Sequence, residues 1–473
     1  MEQTRTADDE LAFTSALEQA RLIRTREVSP VELVDLYLAR IEALNPELNA
    51  YITVVPEQAR QAAARAAEAG TRFSDLPPFH GVPISVKDLH DTAGIRTTQG
   101  VAGWSNRVPT SDAECVHRLR GAGFVILGKT TTPELGLGVV SEPVGYPGAR
   151  NPWNHEFSPG GSSGGAAAAL AAGLCAISHG SDGGGSIRIP SAWTGLFGIK
   201  PARGRVSAAP LPQNLYSIQG PIARTVADGA ALLDVMAGYA TGDAYWAPPP
   251  SRPFLDEVGA DSGPLRVAFT AQHPGAEVDP EWADAAREVA RLLEALGHNV
   301  VEDAPAWSEI SLDHPVIRAA AATMAANAPN LPSFETLDPS TQAFIEHGQG
   351  ASASEVIAWQ QAAAIEARAI VGFFDRYDLL VTPTTASRAP RIGELKDAED
   401  PWRGILTSLQ RCPFTADWNL TGLPAASLPM SIDGDGMPIG VQLVAGPAQE
   451  VTIIRVASQL EQVRPWVGRR PSQ

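Results

Sequence analysis

Lysine is nearly missing from this chain. Of 473 residues only Lys87, Lys129, Lys200 and Lys396 are lysine, and every other cation in a Lys+Arg total of 36 is arginine. Acidic residues outnumber these at 53, giving a net charge of −17. No run of Lys and Arg gathers anywhere, which excludes sequence-independent nucleic-acid binding and attraction to an anionic membrane surface. Cysteine is also sparse. Cys115, Cys175 and Cys412 are far apart and odd in number, so neither a disulfide framework nor a zinc knuckle is indicated. Aromatic residues make up 6%. The longest apolar run, Ala166 to Ile177, is too short to cross a bilayer. The opening "MEQTRTADDE" is acidic and polar and does not read as a signal peptide. These features set the expectation of a cytoplasmic protein with no nucleic-acid or membrane partner; a monomer or homodimer is expected, though no sequence feature selects between them.

The lysine scarcity carries a chemical hint. Arginine stays charged at any working pH, whereas burial can neutralise lysine. A chain biased to arginine keeps lysine where arginine cannot serve, although codon bias explains the same count.

Helical and strand patterns alternate. In "EVSPVELVDLYLARIEALNP", Ser29 reads as an N-cap, Pro30 as the first helical residue and Glu32 as the closure of a capping box. Val31, Val34, Leu38 and Ile41 form the apolar stripe, with Pro46 beyond the end. A second helix is expected over Glu57–Glu68 and a small-residue helix over Ala166–Ala176. "GVPISVKD", Phe124–Leu127, Leu265–Thr270 and Asp378–Pro383 read as strands. A helix is expected over Ala283–Leu296, and a hairpin turns at Asp433–Gly436. The pattern predicts an α/β fold with helices on both faces of a sheet. Residues 1–75 read as N-terminal helices, 76–240 as the catalytic core and 306–375 as a helical cap or pocket wall, all within a single domain spanning 1–473.

Two familiar patterns fail on context. Gly123 to Thr130 matches the P-loop spacing, but its four variable positions are Phe, Val, Ile and Leu, which favour a strand over an open phosphate loop. Gly160-Gly161-Ser162-Ser163-Gly164 matches the nucleophile elbow of Ser-His-Asp hydrolases, yet the preceding "NPWNHEFSP" is no strand. His314 and His347, the nominal bases, lie in helical sequence without special surroundings. No motif for a catalytic metal or a cofactor is present.

What is present is a pair of serines set in glycine, Ser162 and Ser186, 24 residues apart. "GSDGGGSIRIP" places Gly183, Gly184 and Gly185 directly before Ser186. Such glycines let successive amide N–H groups converge on one anion, as acyl transfer requires for its oxyanion. Ser186 then reads as nucleophile and the amides of residues 183–186 as the oxyanion hole; a purely structural glycine turn is the other reading. A serine nucleophile needs a base. Lys87, at the end of an apolar strand, supplies one if burial neutralises it and Ser162 relays the proton. Alternatively, Lys87 forms an ion pair with Asp88 or another carboxylate.

Gly160 to Pro190, with its "GGSSGG…SDGGGSIRIP", resembles the amidase signature family. "HGVPISVKD", "GFVILGKTTTPELG", "GLFGIKPARGRVS" and "FTADWNLTGLPAASLP…GMPIGVQLV" extend the resemblance over nearly the whole chain. It implies one α/β/α domain around a large mixed sheet and a Ser–cis-Ser–Lys triad at Ser186, Ser162 and Lys87. Ser163, Asp182 and Arg188 are expected to support the site, and Gly136, Leu137 and Gly138 to line the acyl side. Many members carry Thr or Ile where this chain has Gly183, so a wider pocket or looser loop is expected. The implied reaction is hydrolysis of a neutral aryl or alkyl amide, with carbamates as an extension and no cofactor. Trp153, Trp193 and Trp418 are candidates for an apolar pocket, or simply core. The competing readings are the amidase subunit of a tRNA-dependent amidotransferase, a Ser-His-Asp esterase and a catalytically silent binding protein.

Overall fold

The segment "PISVK" is apolar, β-branched in its middle and followed by charge, and it forms a strand buried along its whole length. It is the second of eleven strands that share one sheet. In chain order they are β1 (Tyr51–Val54), β2 (Pro83–Lys87), β3 (Val125–Thr130), β4 (Ile177–Asp182), β5 (Phe197–Lys200) and β6 (Ile218–Ala223). There follow β7 (Arg266–Phe269), β8 (Asn299–Glu302), β9 (Leu379–Pro383), β10 (Ala425–Ile432) and β11 (Pro438–Ala445). Their spatial order is β1-β3-β2-β4-β6-β5-β10-β11-β9-β7-β8. The computed structural model describes residues 7–472 apart from 74, 211–214, 308–310 and 398. The ends of the expected N-terminal helical region and parts of the expected core and cap thus lie outside the described residues.

Pairing is mixed. β2 runs parallel to both β3 and β4, whereas β4–β6, β5–β6, β5–β10, β10–β11 and β11–β9 are antiparallel, and β7 joins β8 and β9 in parallel. β2 to β6, β9 and β11 are buried at every position. Burial on both faces explains why β2, β9 and β11 read as largely apolar stretches without strict alternation.

Local signals set the helix ends. Ser29 Oγ accepts from Glu32 N at 3.1 Å while Glu32 Oε2 accepts from Ser29 N at 2.7 Å, the reciprocal cap expected. The Pro30–Leu48 helix buries Leu33, Val34, Tyr37, Leu38 and Ile41; Val31 is only partly covered. It contains Pro46 instead of stopping before it, because a proline in the last turn removes one terminal hydrogen bond. Asn49 closes it in the left-handed conformation. The second helix is longer than expected, Pro56–Arg72, whereas the small-residue helix is shorter, Gly164–Ala171. Gly173, at φ +66°, turns the chain into β4 just after that helix.

Every residue of the Gly164–Ala171 helix is buried. A Cβ on Gly165 would sit 2.4 Å from Thr131 N and 2.5 Å from Ala50 O, so backbone meets backbone there. Close approach holds the start of the helix against the residue that follows β3 and the residue that precedes β1. Gly165→Ala should therefore cost about 1–3 kcal/mol through overpacking. A clear fall in urea midpoint, followed by far-UV circular dichroism, checks this; an unchanged midpoint counts against the close packing.

Candidate active site

β2 ends at Lys87, and the parallel register sets it beside Thr130 of β3 and one pair beyond Val86–His179 of β4. Its side chain is fully buried. Nζ donates to Ser162 Oγ at 2.8 Å and to the Ser181 carbonyl at 3.2 Å. Among the described residues no ion pair includes Lys87. Its neighbour Asp88 is taken: Asp88 Oδ2 accepts from the Thr98 amide at 3.0 Å and hydroxyl at 2.5 Å, and Oδ1 lies 3.7 Å from Lys129 Nζ. Burial lowers the Lys87 pKa to about 7, against an opposing pull from Asp182. Of the two readings of Lys87, the ion pair with Asp88 is therefore ruled out.

Lysine scarcity acquires a physical meaning here. Lys129 and Lys200 are also buried, and burial lowers them to about 8 and about 7. Lys129 Nζ binds the His90 carbonyl at 2.6 Å and Thr97 Oγ1 at 2.9 Å, and residues 125–127 before it are strand. The P-loop spacing is thus a strand with a core lysine. Lys396 is partly exposed and pairs with the buried Asp338 at 2.6 Å.

Ser162 follows a cis Gly161–Ser162 peptide and is 2% exposed. Its carbonyl and that of Gly160 face Ser141 Oγ, at 3.4 and 3.0 Å. Ser163 N donates to the Ser186 carbonyl at 3.1 Å, which ties the two glycine-set serines together through backbone. Ser163 Oγ donates to the Ser181 carbonyl at 3.0 Å, so the same carbonyl fixes both Ser163 and Lys87. Ser186 is half-buried and Gly183 exposed, so this side of the site reaches solvent.

Asp182 and Arg188 shape the loop between them. Asp182 Oδ1 accepts from Gly185 N at 2.7 Å and Oδ2 from Ile187 N at 3.1 Å. Arg188 clamps the same carboxylate at 2.9 and 3.0 Å. Burial alone would raise the Asp182 pKa, but the Arg188 guanidinium and Lys200 outweigh it and hold it well below the carboxylate range. One expectation fails at this point. The Gly185 N–H is occupied by Asp182 and is no oxyanion donor, because an aspartate readily captures an amide N–H just ahead in a turn. Gly183, Gly184 and Ser186 remain as the candidate donors. Gly185 is needed for space: at φ +127° a Cβ would lie 2.5 Å from Thr415 Oγ1. A Cβ on Gly183 would meet Ser217 only at 3.7 Å, so the side chain missing there leaves an open mouth and not a packing defect.

The segment before β10 and strand β11 supply supports that sequence reading did not name. Thr415 Oγ1 donates to the Gly184 carbonyl at 2.7 Å. Arg188 Nη1 binds the Thr415 carbonyl and Gln442 Oε1, both at 2.8 Å, and Nη2 binds Asn419 Oδ1 at 2.7 Å. Asn419 Nδ2 returns to the Asp182 carbonyl at 2.9 Å. Their segments, "FTADWN" and "GVQLV", are legible as family resemblance but not as contacts. On the opposite wall Gly136, at φ +75°, comes so close that a Cβ would lie 3.4 Å from Ser162 Oγ. Nothing lies within 4 Å of a Cβ on Gly138, and Leu137 N bonds the Glu134 carbonyl.

The remaining candidates lie in other roles. His314 caps the Pro315–Asn327 helix and sits 3.1 Å from Glu366; His347 bonds the Leu312 carbonyl. The indole N–H groups of Trp153, Trp193 and Trp418 bond the carbonyls of Thr194, Ser387 and Phe414; Trp193 and Trp418 are buried core residues, whereas Trp153 is only partly buried. Among the described residues no group of three His, Cys, Asp or Glu could hold a metal ion, and no helix is long and apolar enough to cross a membrane.

The family model described as Amidase matches residues 32–454. A 6-aminohexanoate-cyclic-dimer hydrolase of Paenarthrobacter ureafaciens is 39% identical, covering 97% of this chain and 96% of that one. A solved structure of a 6-aminohexanoate cyclic dimer hydrolase superposes with a TM-score of 0.92 at 37% identity, covering 98% and 99% of the two chains. A bacterial aryl acylamidase structure, of the amidase signature enzymes, gives 0.86 at 27% identity over 97% and 99%.

Arg188 makes its contacts through a planar fork that a lysine ammonium cannot reproduce. Arg188→Lys should leave the Asp182 carboxylate and the Asn419 and Gln442 carbonyls partly unmatched, costing about 3–5 kcal/mol. Urea unfolding of the variant checks this, and a loss under about 1 kcal/mol would contradict the clamp.

Proposed function

The chain belongs to the amidase family and hydrolyses amide carbon–nitrogen bonds, and on that premise we propose that Ser186, Ser162 and Lys87 carry the reaction. The observation behind this reading is the buried Lys87 amine, 2.8 Å from Ser162 Oγ and outside every ion pair among the described residues. An uncharged amine in that place accepts a proton, whereas an ammonium there would only donate one.

In the proposed cycle Ser186 Oγ attacks the amide carbonyl carbon. The Ser186 proton passes to Ser162 Oγ as the Ser162 proton passes to Lys87 Nζ. The carbonyl electron pair moves onto oxygen, where the amides of Gly183, Gly184 and Ser186 receive it. Each such donor is worth about 3–4 kcal/mol to the transition state. The oxyanion collapses, the C–N bond breaks, and the leaving nitrogen takes its proton back along Ser162 from Lys87. Water then attacks the acyl-enzyme by the same relay and releases the acid. Ser163, Asp182 and Arg188 hold the loop, and no cofactor enters.

For substrate we favour a neutral aryl or alkyl amide, with carbamates as an extension. The support is the bare Gly183 at the mouth, together with relatives named for a cyclic amide and for aryl acylamides. Residues 306–375 form the pocket wall in this reading. The protein acts in the cytoplasm as a monomer or homodimer, without the partner chains that an amidotransferase subunit needs.

The purified chain alone should hydrolyse simple anilides. A serine-directed fluorophosphonate should form its adduct on Ser186, mapped by mass spectrometry; an adduct on Ser162 would restore the elbow-hydrolase reading. Burial lowers the Lys87 pKa, so the productive, unprotonated form grows as pH rises through about 7. The kcat/KM profile should therefore climb across that region and level off above it. A profile that falls between pH 6 and about 8 would overturn the proposed base. Lys87→Met should lower kcat by about 10³-fold or more.

A further inference from the structure

Two consecutive residues, Glu134 and Leu135, reach away from the catalytic serines and into the helices of residues 315–348. Glu134 is 1% exposed, and its Oε1 accepts from the Asp338 backbone N–H at 2.8 Å. Asp338 begins the Pro339–Gly348 helix: its Oδ1 accepts from Ser340 N at 2.9 Å, and its Oδ2 from Lys396 Nζ at 2.6 Å. Leu135 packs with Val101, Leu337, Ile345, Met324 and Phe334, a small apolar core belonging largely to those helices.

The next residue, Gly136, is the one that faces Ser162. Its added Cβ would stand 3.4 Å from Ser162 Oγ and 2.7 Å from Leu89 Cδ1. Local backbone preference does not favour this turn. Leu135 has φ +53° and Gln99 φ +54°, left-handed values that ordinary side chains rarely adopt, and Leu135 N bonds the Gln99 carbonyl at 2.8 Å. Strained backbone of this kind persists only where its surroundings over-determine it. The surroundings here are the carboxylate contact to Asp338 and the leucine packing.

We propose that Glu134 is a positioning residue: by holding the Asp338 N–H it fixes the Leu135–Gly136 turn against Ser162, so that the 315–348 helices and this wall of the pocket move as one unit and together set how large a substrate fits. Burial raises the Glu134 pKa, and the hydrogen bond from the Asp338 N–H opposes that rise. The inference rests on the amide-hydrolase reading above for its consequence on substrates, but not for the mechanical coupling itself.

The test compares the wild-type chain with Glu134→Ala and with Glu134→Gln, which keeps a carbonyl acceptor for the Asp338 amide. Hydrogen exchange followed by mass spectrometry should show faster exchange in Glu134→Ala confined to peptides covering 134–138 and 337–348. Glu134→Gln should restore protection. On p-nitroanilides of increasing acyl length, Glu134→Ala should lose about tenfold or more in kcat/KM for the longest, chiefly through KM, and about two- to threefold for the shortest. Unchanged exchange in the two segments, or a rise spread over the whole chain, overturns the proposal. So does a loss of activity equal at every length. Should the wild type cleave no amide at all, the function reading fails, and the exchange measurement alone decides the coupling.

Discussion

Burying an amine without a carboxylate partner is expensive, and the arrangement around Lys87 follows from tolerating that expense. Removing the charge from water favours the neutral form and lowers the pKa to about 7. A partner carboxylate would undo this by restoring the ammonium. Each nearby carboxylate is accordingly engaged elsewhere. Asp88 faces Lys129 and Thr98, and Asp182 is held by Arg188 and backbone amides. What Lys87 receives instead is one hydroxyl and one carbonyl. The sheet contributes to this, since β2 pairs in parallel with β3 through Lys87 and with β4 through Val86, and the strand is buried along its whole length.

The same constraint accounts for supports drawn from distant parts of the chain. If Asp182 were free to turn toward Lys87, the amine would charge. Arg188 prevents it, and Arg188 is itself held by Thr415, Asn419 and Gln442. Those residues come from the segment before β10 and from β11. The site is thus closed by chain more than 220 residues after Arg188, at sequence separations of 227 to 254. This gives the C-terminal third a chemical role without a reacting group.

Much of this is legible in the amino-acid sequence itself. The glycine settings of Ser162 and Ser186, the apolar strand ending in Lys87 and the capping box at Ser29 are local signals, and local signals survive folding. The family resemblance adds the cis peptide at Gly161–Ser162 and the mixed sheet. The Gly185 amide is misassigned from sequence because three adjacent glycines suggest three equivalent donors. Asp182, three positions earlier, takes one of them, a turn contact that its spacing does signal. The helix that includes Pro46 and the early end at Ala171 reflect contacts at helix termini, where sequence is least decisive. The roles of Asn419, Gln442 and Glu134 depend on side chains meeting across strands and helices far apart in the chain, and no local spacing encodes them.

The near-absence of lysine makes the central claim directly measurable. Protein labelled with ¹³C at the lysine ε carbons should give four resonances, one for each lysine in the sequence, with that of Lys87 assigned by its loss in Lys87→Met. This resonance should titrate near pH 7. A Lys87 signal that stays in its ammonium position up to about pH 10, as an ordinary lysine does, would contradict it.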